Sequence, residues 1–378
     1  MNEQALYDLA PALELMLLGL ILAVGPLCWV WWRSRGAGAA RRLQALSVLT
    51  LFLTFDLVMF GAFTRLTDSG LGCPDWPGCY GSASPVGASE HIAVAQAAMP
   101  TGPVTHGKAW VEMVHRYLAT TVGVLIIVLT ILSWRWWRRN AATHPDALSP
   151  WWPTAALLWV CIQGAFGALT VTMKLFPAIV TLHLIGGTIL LALLCVSAAS
   201  WTAVVRKLAS IKVTRGLRTL FWIVLALLTA QVLLGGWVST NYAVLACSSF
   251  PTCQGSWWPN MDFSQAFEIW RPLGLLKDGT HISMEALTAI HYIHRLAAYL
   301  VLAALVWMWW QLREVPEMAM QRKMLAGFSL LQLLTGLSNV VLDWPLVAAV
   351  LHTGGAAALV TVTVWCITAS HSKPRTAQ

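Results

Sequence analysis

Apolar residues occur in long runs separated by short polar stretches, and this pattern recurs along almost the whole chain. Nine runs approach or exceed the ~18–20 residues that a helix needs to cross a hydrocarbon core. They lie at about 12–32, 43–65, 111–133, 151–172, 178–203, 217–238, 286–312, 323–341 and 346–369. The pattern predicts an all-α polytopic membrane protein.

From the second run onward the polar features repeat. A span ending Gly61-Ala62-Phe63-Thr64-Arg65 leads into a long loop with Cys73 and Cys79. A span opening with His115-Arg116 follows, then another span, then one with His183. The second half runs in the same order, with Gly235-Gly236-Trp237-Val238, Cys247 and Cys253, His294-Arg295, a further span and His352. Each unit holds an even number of spans, so the two have the same orientation, as in parallel repeats about an axis along the membrane normal. The expected architecture is two tandem pseudo-symmetric four-helix bundles plus one extra amino-terminal helix. The expected boundaries are 1–42 for the extra helix and its basic loop, 43–205 for the first half and 206–378 for the second.

Composition agrees. The chain is 58% hydrophobic and 11% charged, against about 25% charged in soluble proteins. A net charge of +8 would suit a nucleic-acid partner, but the basic residues cluster in short loops between apolar runs. That places the partner surface in membrane lipid and argues against nucleic acid. One set of loops holds Arg33, Arg35, Arg41, Arg42, Arg135, Arg138, Arg139, Arg206, Lys207, Lys212, Arg215, Arg218, Arg313, Arg322 and Lys323, with Lys373 and Arg375 in the tail. The opposite loops hold fewer bases and include Asp68, Asp75, Glu90, Asp262, Glu268 and Asp278. The positive-inside rule then puts the carboxy terminus in the cytoplasm and the cysteine loops and amino terminus outside. Met1 to Ala10 carry Glu3 and Asp8 and no base, so a cleaved signal peptide is not expected. Tryptophans at run ends, such as Trp29, Trp31 and Trp32 or Trp307, Trp309 and Trp310, read as an interfacial belt.

Cys28, Cys161, Cys195 and Cys366 lie inside apolar runs and are expected to pack as small hydrophobes. Cys73/Cys79 and Cys247/Cys253 share C-x5-C spacing in loops where disulfides persist. They are either staples or redox-active pairs.

Ionisable groups inside membrane helices are costly and point to function. His115, His183, His294 and His352 each fall a few residues inside a span entered from the cysteine-loop side, roughly 7–12 Å deep. Two neutral imidazoles on facing helices can ligate haem iron from both sides. The alternative is ordinary packing with interhelical hydrogen bonds. Arg116 and Arg295 either meet haem propionates or Glu112, or snorkel to the interface. Glu112 stands three residues before His115, on the same helix face. Its counterpart is His291, the sharpest asymmetry between the halves. Glu112 either serves in proton transfer or charge stabilisation, or only pairs with Arg116 or Lys108. Asp56, inside the second span, belongs to a proton path or hydrogen-bonds across helices. His91, His106 and His281 read as loop residues, with His281 near the second site, and His144 and His371 as surface residues on the basic side.

GAFTRLTDSGLGCPDWPGC at 61–79, GKAWVEMVHRYLA at 107–119, TLHLIGG at 181–187, HYIHRLAAYL at 291–300 and LHTGGAA at 351–357 resemble the haem A synthase family of bacteria and mitochondria. The resemblance covers about 43–369, with the first span added to the simplest eight-helix pattern. It implies oxidation of the C8 methyl of haem O to a formyl group, via a hydroxymethyl intermediate, giving haem A for terminal oxidases. It implies that His115 and His183 hold the substrate haem, that Glu112 is the catalytic carboxylate, and that His294 and His352 hold a haem b cofactor. Cys73/Cys79 matches the form of the family with loop cysteines. The expected location is the plasma membrane of a bacterium, with a haem O synthase as a fitting partner and a homo-oligomer compatible with the architecture. Two other classes compete: a di-haem b-type electron-transfer cytochrome, whose sites would be equivalent, and a haem carrier or assembly factor, for which two bis-histidine sites are more than needed.

Overall fold

The structure is a computed structural model, which describes residues 10–142 and 147–371. Glu3, Asp8, His144, Lys373 and Arg375 lie outside the described residues. Eleven α-helices follow in order: α1 Ala10–Arg33, α2 Ala39–Leu66, α3 Ser89–Ala98, α4 His106–Asn140, α5 Trp151–Thr172, α6 Pro177–Arg206, α7 Arg215–Thr240, α8 Phe263–Ala266, α9 Met284–Gln311, α10 Ala319–Val341 and α11 Leu346–His371. Among the described residues nine helices, all except α3 and the one-turn α8, are long and apolar enough to cross a membrane. The chain is a multi-pass α-helical membrane protein.

The helix ends follow local chemistry more than hydropathy. α4 starts ahead of its apolar run because Thr105 caps it, the Thr105 hydroxyl accepting from the Lys108 N–H at 3.3 Å. Ser283 caps α9 in the same way, accepting from Ala286 N–H at 3.2 Å. His115 and His294 therefore stand in the third turn of their helices, roughly 13–15 Å from the start, while His183 and His352 stand in the second turn, roughly 9 Å in. The first two stand farther from the helix start than expected because each cap adds a polar turn before the apolar run.

α2, α4, α5 and α6 pack around one another, and α7, α9, α10 and α11 do likewise. α6 and α11 are the most buried spans and pack against each other. α6 also packs on α7, and α11 on α2. Leu125, Leu129, Leu190 and Leu194 fill one core, and Phe221, Leu305, Met308 and Leu359 fill the other. α1 lies against α4, where a Cβ on Gly19 would stand 2.7 Å from Thr120 Cβ. Only glycine permits that approach. At the cysteine-loop end the two groups are tied together by Arg65, which donates to Tyr242 Oη at 2.8 Å and to the Ser239 carbonyl at 2.7 Å. The Tyr242 hydroxyl in turn donates to Asp68 at 2.6 Å.

Cys195 and Cys366 are buried as expected, but Cys28 and Cys161 are exposed, on outward faces of α1 and α5. An apolar run places a cysteine in the membrane without saying which side of the helix faces the bundle. Trp29, Trp31, Trp32, Trp307 and Trp310 are exposed near helix ends, where an interfacial belt belongs.

Candidate functional site

His115, His183, His294 and His352 each lie over a glycine of the preceding long helix. A Cβ on Gly61 of α2 would sit 3.0 Å from His115 Cε1, and one on Gly235 of α7 would sit 3.0 Å from His294 Cε1. The same construction gives 3.5 Å for Gly167 of α5 against His183 and 3.1 Å for Gly336 of α10 against His352. The absent side chain is what makes room for each ring. His115 and His183 lie close enough to interact electrostatically, and so do His294 and His352. Each group of helices thus holds two imidazoles within electrostatic range of each other. Phe60 stacks beside His115, ring centroids 6.4 Å apart.

The cysteine loops cap the same end. Disulfides join Cys73 to Cys79 and Cys247 to Cys253, and all four residues are fully buried. Cys79 bridges to Ser82, and Cys253 to Ser256. The two residues between are left-handed in both turns, Tyr80-Gly81 at φ 49° and 71° and Gln254-Gly255 at 53° and 76°. Two consecutive left-handed residues make a two-residue hairpin, and the second favours glycine. Asp75 accepts from Tyr80 N–H at 2.6 Å and Gly81 N–H at 2.7 Å, which holds the first turn.

Arginine ties each loop to its histidine helix. Arg116 donates to the carbonyls of Asp75 at 3.1 Å, Pro77 at 3.0 Å and Gly78 at 2.5 Å. Arg295 donates to those of Cys247 at 2.5 Å, Ser249 at 2.7 Å and Thr252 at 3.2 Å. Both guanidinium groups are committed to loop carbonyls. The snorkelling alternative gives way to a loop clamp, with Arg116 also meeting Glu112 as expected; the clamp is a geometry that linear spacing does not encode.

Glu112 is buried, 4% exposed. Its Oε1 pairs with Arg116, and its Oε2 accepts from the Cys73 N–H at 2.8 Å. Lys108 does not reach it and donates instead to the Gly102 carbonyl at 3.1 Å. Its counterpart His291, 5% exposed, uses both ring nitrogens, Nδ1 facing the Ala243 carbonyl at 3.0 Å and Nε2 accepting from Arg295 Nε at 3.2 Å. One half therefore holds a carboxylate where the other holds a fully hydrogen-bonded imidazole.

Asp56 is exposed on α2, with no hydrogen bond or ion pair among the described residues. The expected buried carboxylate bonded across helices is not found, because this face of α2 is not covered by a neighbour there. His91, stacked on Tyr80 at 5.4 Å, His106 and His281 are exposed, and His371 is exposed at the end of α11.

Gln231, Gln332 and Thr335 surround the second histidine pair and escaped the reading of the sequence. Gln231 Nε2 donates to the His294 carbonyl at 3.1 Å, and Gln332 Nε2 to the His352 carbonyl at 2.7 Å. Their signal was present as Gln-x3-Gly, in Gln163-Gly167, Gln231-Gly235 and Gln332-Gly336.

The buried sulfurs favour a staple over an exchanging pair, since exchange needs an accessible thiolate. Mild reductant followed by thiol alkylation of the native protein is expected to leave all four loop cysteines unlabelled, with labelling appearing only after denaturation.

Residues 44–364 match the family model described as cytochrome oxidase assembly protein, COX15-CtaA. A protein of Shewanella oneidensis named Heme A synthase is 37% identical over 318 residues, covering 82% of this chain and 91% of the relative. Proteins of the same name from Alkalihalophilus pseudofirmus and Halalkalibacterium halodurans are 28% and 25% identical, covering 72% and 82% of this chain and 77% and 91% of the relatives. The chain belongs to the COX15-CtaA family of cytochrome oxidase assembly proteins.

Proposed function

We propose that this chain is a haem A synthase, an oxidoreductase that converts the C8 methyl of haem O to a formyl group through a hydroxymethyl stage. The observation that carries the reading is the paired imidazole over glycine, present twice, with a buried carboxylate beside only one pair. The haem A synthase name of the relatives supports the same product.

The residues fit a haem in each half. Each imidazole has a glycine cradle that a side chain would fill, and the buried Nδ1 atoms of His115 and His183 have no partner in the protein. Neutral imidazoles over such cradles would be able to ligate haem iron. His115 and His183 hold the substrate haem O. His294 and His352 would hold haem b, which would relay the electrons one at a time to an external acceptor.

Going from methyl to formyl removes electrons and protons from the carbon and adds one oxygen. Glu112 stabilises positive charge developing at the methyl carbon, or takes the proton released there, through its carboxylate oxygens. Arg116 and the Cys73 N–H keep that carboxylate oriented. Arg116 and Arg295 hold the cysteine loops over the helix ends. The same reading divides the chain into the amino-terminal helix at 1–42 and two halves at 43–205 and 206–378. It puts the cysteine loops outside the cytoplasm, by the charge of the opposite loops, and makes a haem O synthase a suitable donor of the hydrophobic substrate.

Co-expression with a haem O synthase in a host that lacks haem A, followed by mass analysis of extracted haems, tests the function. Haem A or its hydroxymethyl precursor is expected. Haems B and O alone would refute the reading.

The glycine cradles have their own test. Gly235→Val places methyl groups where the His294 ring lies. It is expected to remove the low-spin haem b spectrum from the purified protein, while Gly216→Ala, open on all sides in α7, leaves it unchanged.

A further inference from the structure

The two histidine pairs differ in what holds the second ring nitrogen. In the second pair, the Thr335 hydroxyl donates to the Leu331 carbonyl at 2.7 Å and lies 2.9 Å from His352 Nδ1. With its own proton committed, Thr335 accepts from Nδ1–H, which leaves the lone pair of His352 on Nε2. Gln231 Nε2 lies 3.1 Å from His294 Nδ1, and its buried Oε1 is without a partner. The same Nε2 donates to the His294 carbonyl at 3.1 Å, so Gln231 braces His294 without fixing which ring nitrogen carries the proton.

Neither partner exists in the first pair. The residue four before the glycine is Leu57 in α2, where α7 has Gln231. The residue just before the glycine is Phe166 in α5, where α10 has Thr335. The Nδ1 atoms of His115 and His183 are buried and unpartnered as a direct result.

We propose that Thr335 is a positioning residue that makes the second histidine pair the site that retains its haem, and that Phe166 at the equivalent place leaves the first pair able to exchange its haem. This rests on the two-haem reading above. A hydrogen bond to Nδ1 fixes the tautomer and ring orientation and makes Nε2 a stronger donor to iron. A substrate site has the opposite requirement, because its haem must leave after oxidation.

The test uses the purified full-length protein carrying haem b. Thr335→Val keeps the shape and removes the acceptor. It is expected to speed haem transfer to apomyoglobin by ~10–100-fold, the range by which outer partners alter metal affinity. The midpoint potential of the same haem rises, since a weaker imidazole donor stabilises ferric iron less. Thr335→Ser restores both values, which a merely structural defect would not predict. Phe166→Thr is expected to slow release of haem from the first site. If Thr335→Val matches the intact protein in release rate and potential while His352→Ala still removes the low-spin haem, the positioning role is wrong and the ligand assignment stands. If His352→Ala leaves that haem in place, the ligand assignment fails and the positioning role with it.

Discussion

Glu112→Gln is expected to abolish formation of haem A and of its hydroxymethyl precursor in cells supplied with haem O, while the haem b spectrum stays intact. The carboxylate is a buried ionisable side chain at the top of its histidine helix, and the second half has His291 in its place. It is buried, holds Arg116 with one oxygen and accepts the Cys73 N–H with the other. Glutamine keeps the size of the side chain and one acceptor oxygen, so the loop stays attached. It removes the negative charge and the proton-accepting oxygen that the chemistry needs. General acid–base groups contribute about 10²–10⁴-fold, and a loss of that size leaves no detectable product in extracted haems. The geometry also allows a second role, anchoring the loop, and the variant separates the two. Product formation within about threefold of the intact protein would make Glu112 an anchor, because the expected catalytic loss is at least ~100-fold.

Alanine at His294 or His352 is expected to eliminate the low-spin haem b spectrum, and alanine at His291 is expected to preserve it. The three imidazoles are close in the sequence or in the fold, and hydrogen bonding distinguishes them. His291 has both ring nitrogens engaged, by the Ala243 carbonyl and by Arg295 Nε, and no lone pair remains for iron. His294 and His352 instead lie over Gly235 and Gly336. His291→Ala leaves the Ala243 carbonyl without its buried partner and costs about 1–3 kcal/mol in stability. A lowered melting temperature with an unchanged haem spectrum is the expected signature. Loss of the spectrum in His291→Ala, with retention in His294→Ala, would reverse the assignment.

The spans were legible because a bilayer imposes length and apolarity on each helix independently. Their starts were less so. Thr105 and Ser283 cap turns that are too polar to count as membrane helix, so His115 and His294 stand farther along their helices than the apolar runs indicate. The histidines and Glu112 stood out because polar groups are rare in such segments. The partners of Arg116 and Arg295 were not legible, since they are main-chain carbonyls some forty residues away, brought close only by the folded loop. Asp56 was misplaced because hydropathy carries no information on which side of α2 is covered. Gln231 and Thr335 were legible in principle. They fall at fixed offsets from Gly235 and Gly336, but each looks like an ordinary polar residue of a membrane helix until its contact with a histidine is seen.

The central claim is that the two halves hold different haems for different purposes. Counting and identifying haems per chain in protein purified with and without a co-expressed haem O synthase tests it most directly. Without haem O, one retained haem B per chain is expected, removed by His352→Ala and unaffected by His183→Ala. With haem O supplied, a second haem is expected as haem O, its hydroxymethyl derivative or haem A, and it disappears with His183→Ala. Two haem B molecules per chain under both conditions, each lost with its own histidine pair, would contradict the account and identify an electron-transfer cytochrome.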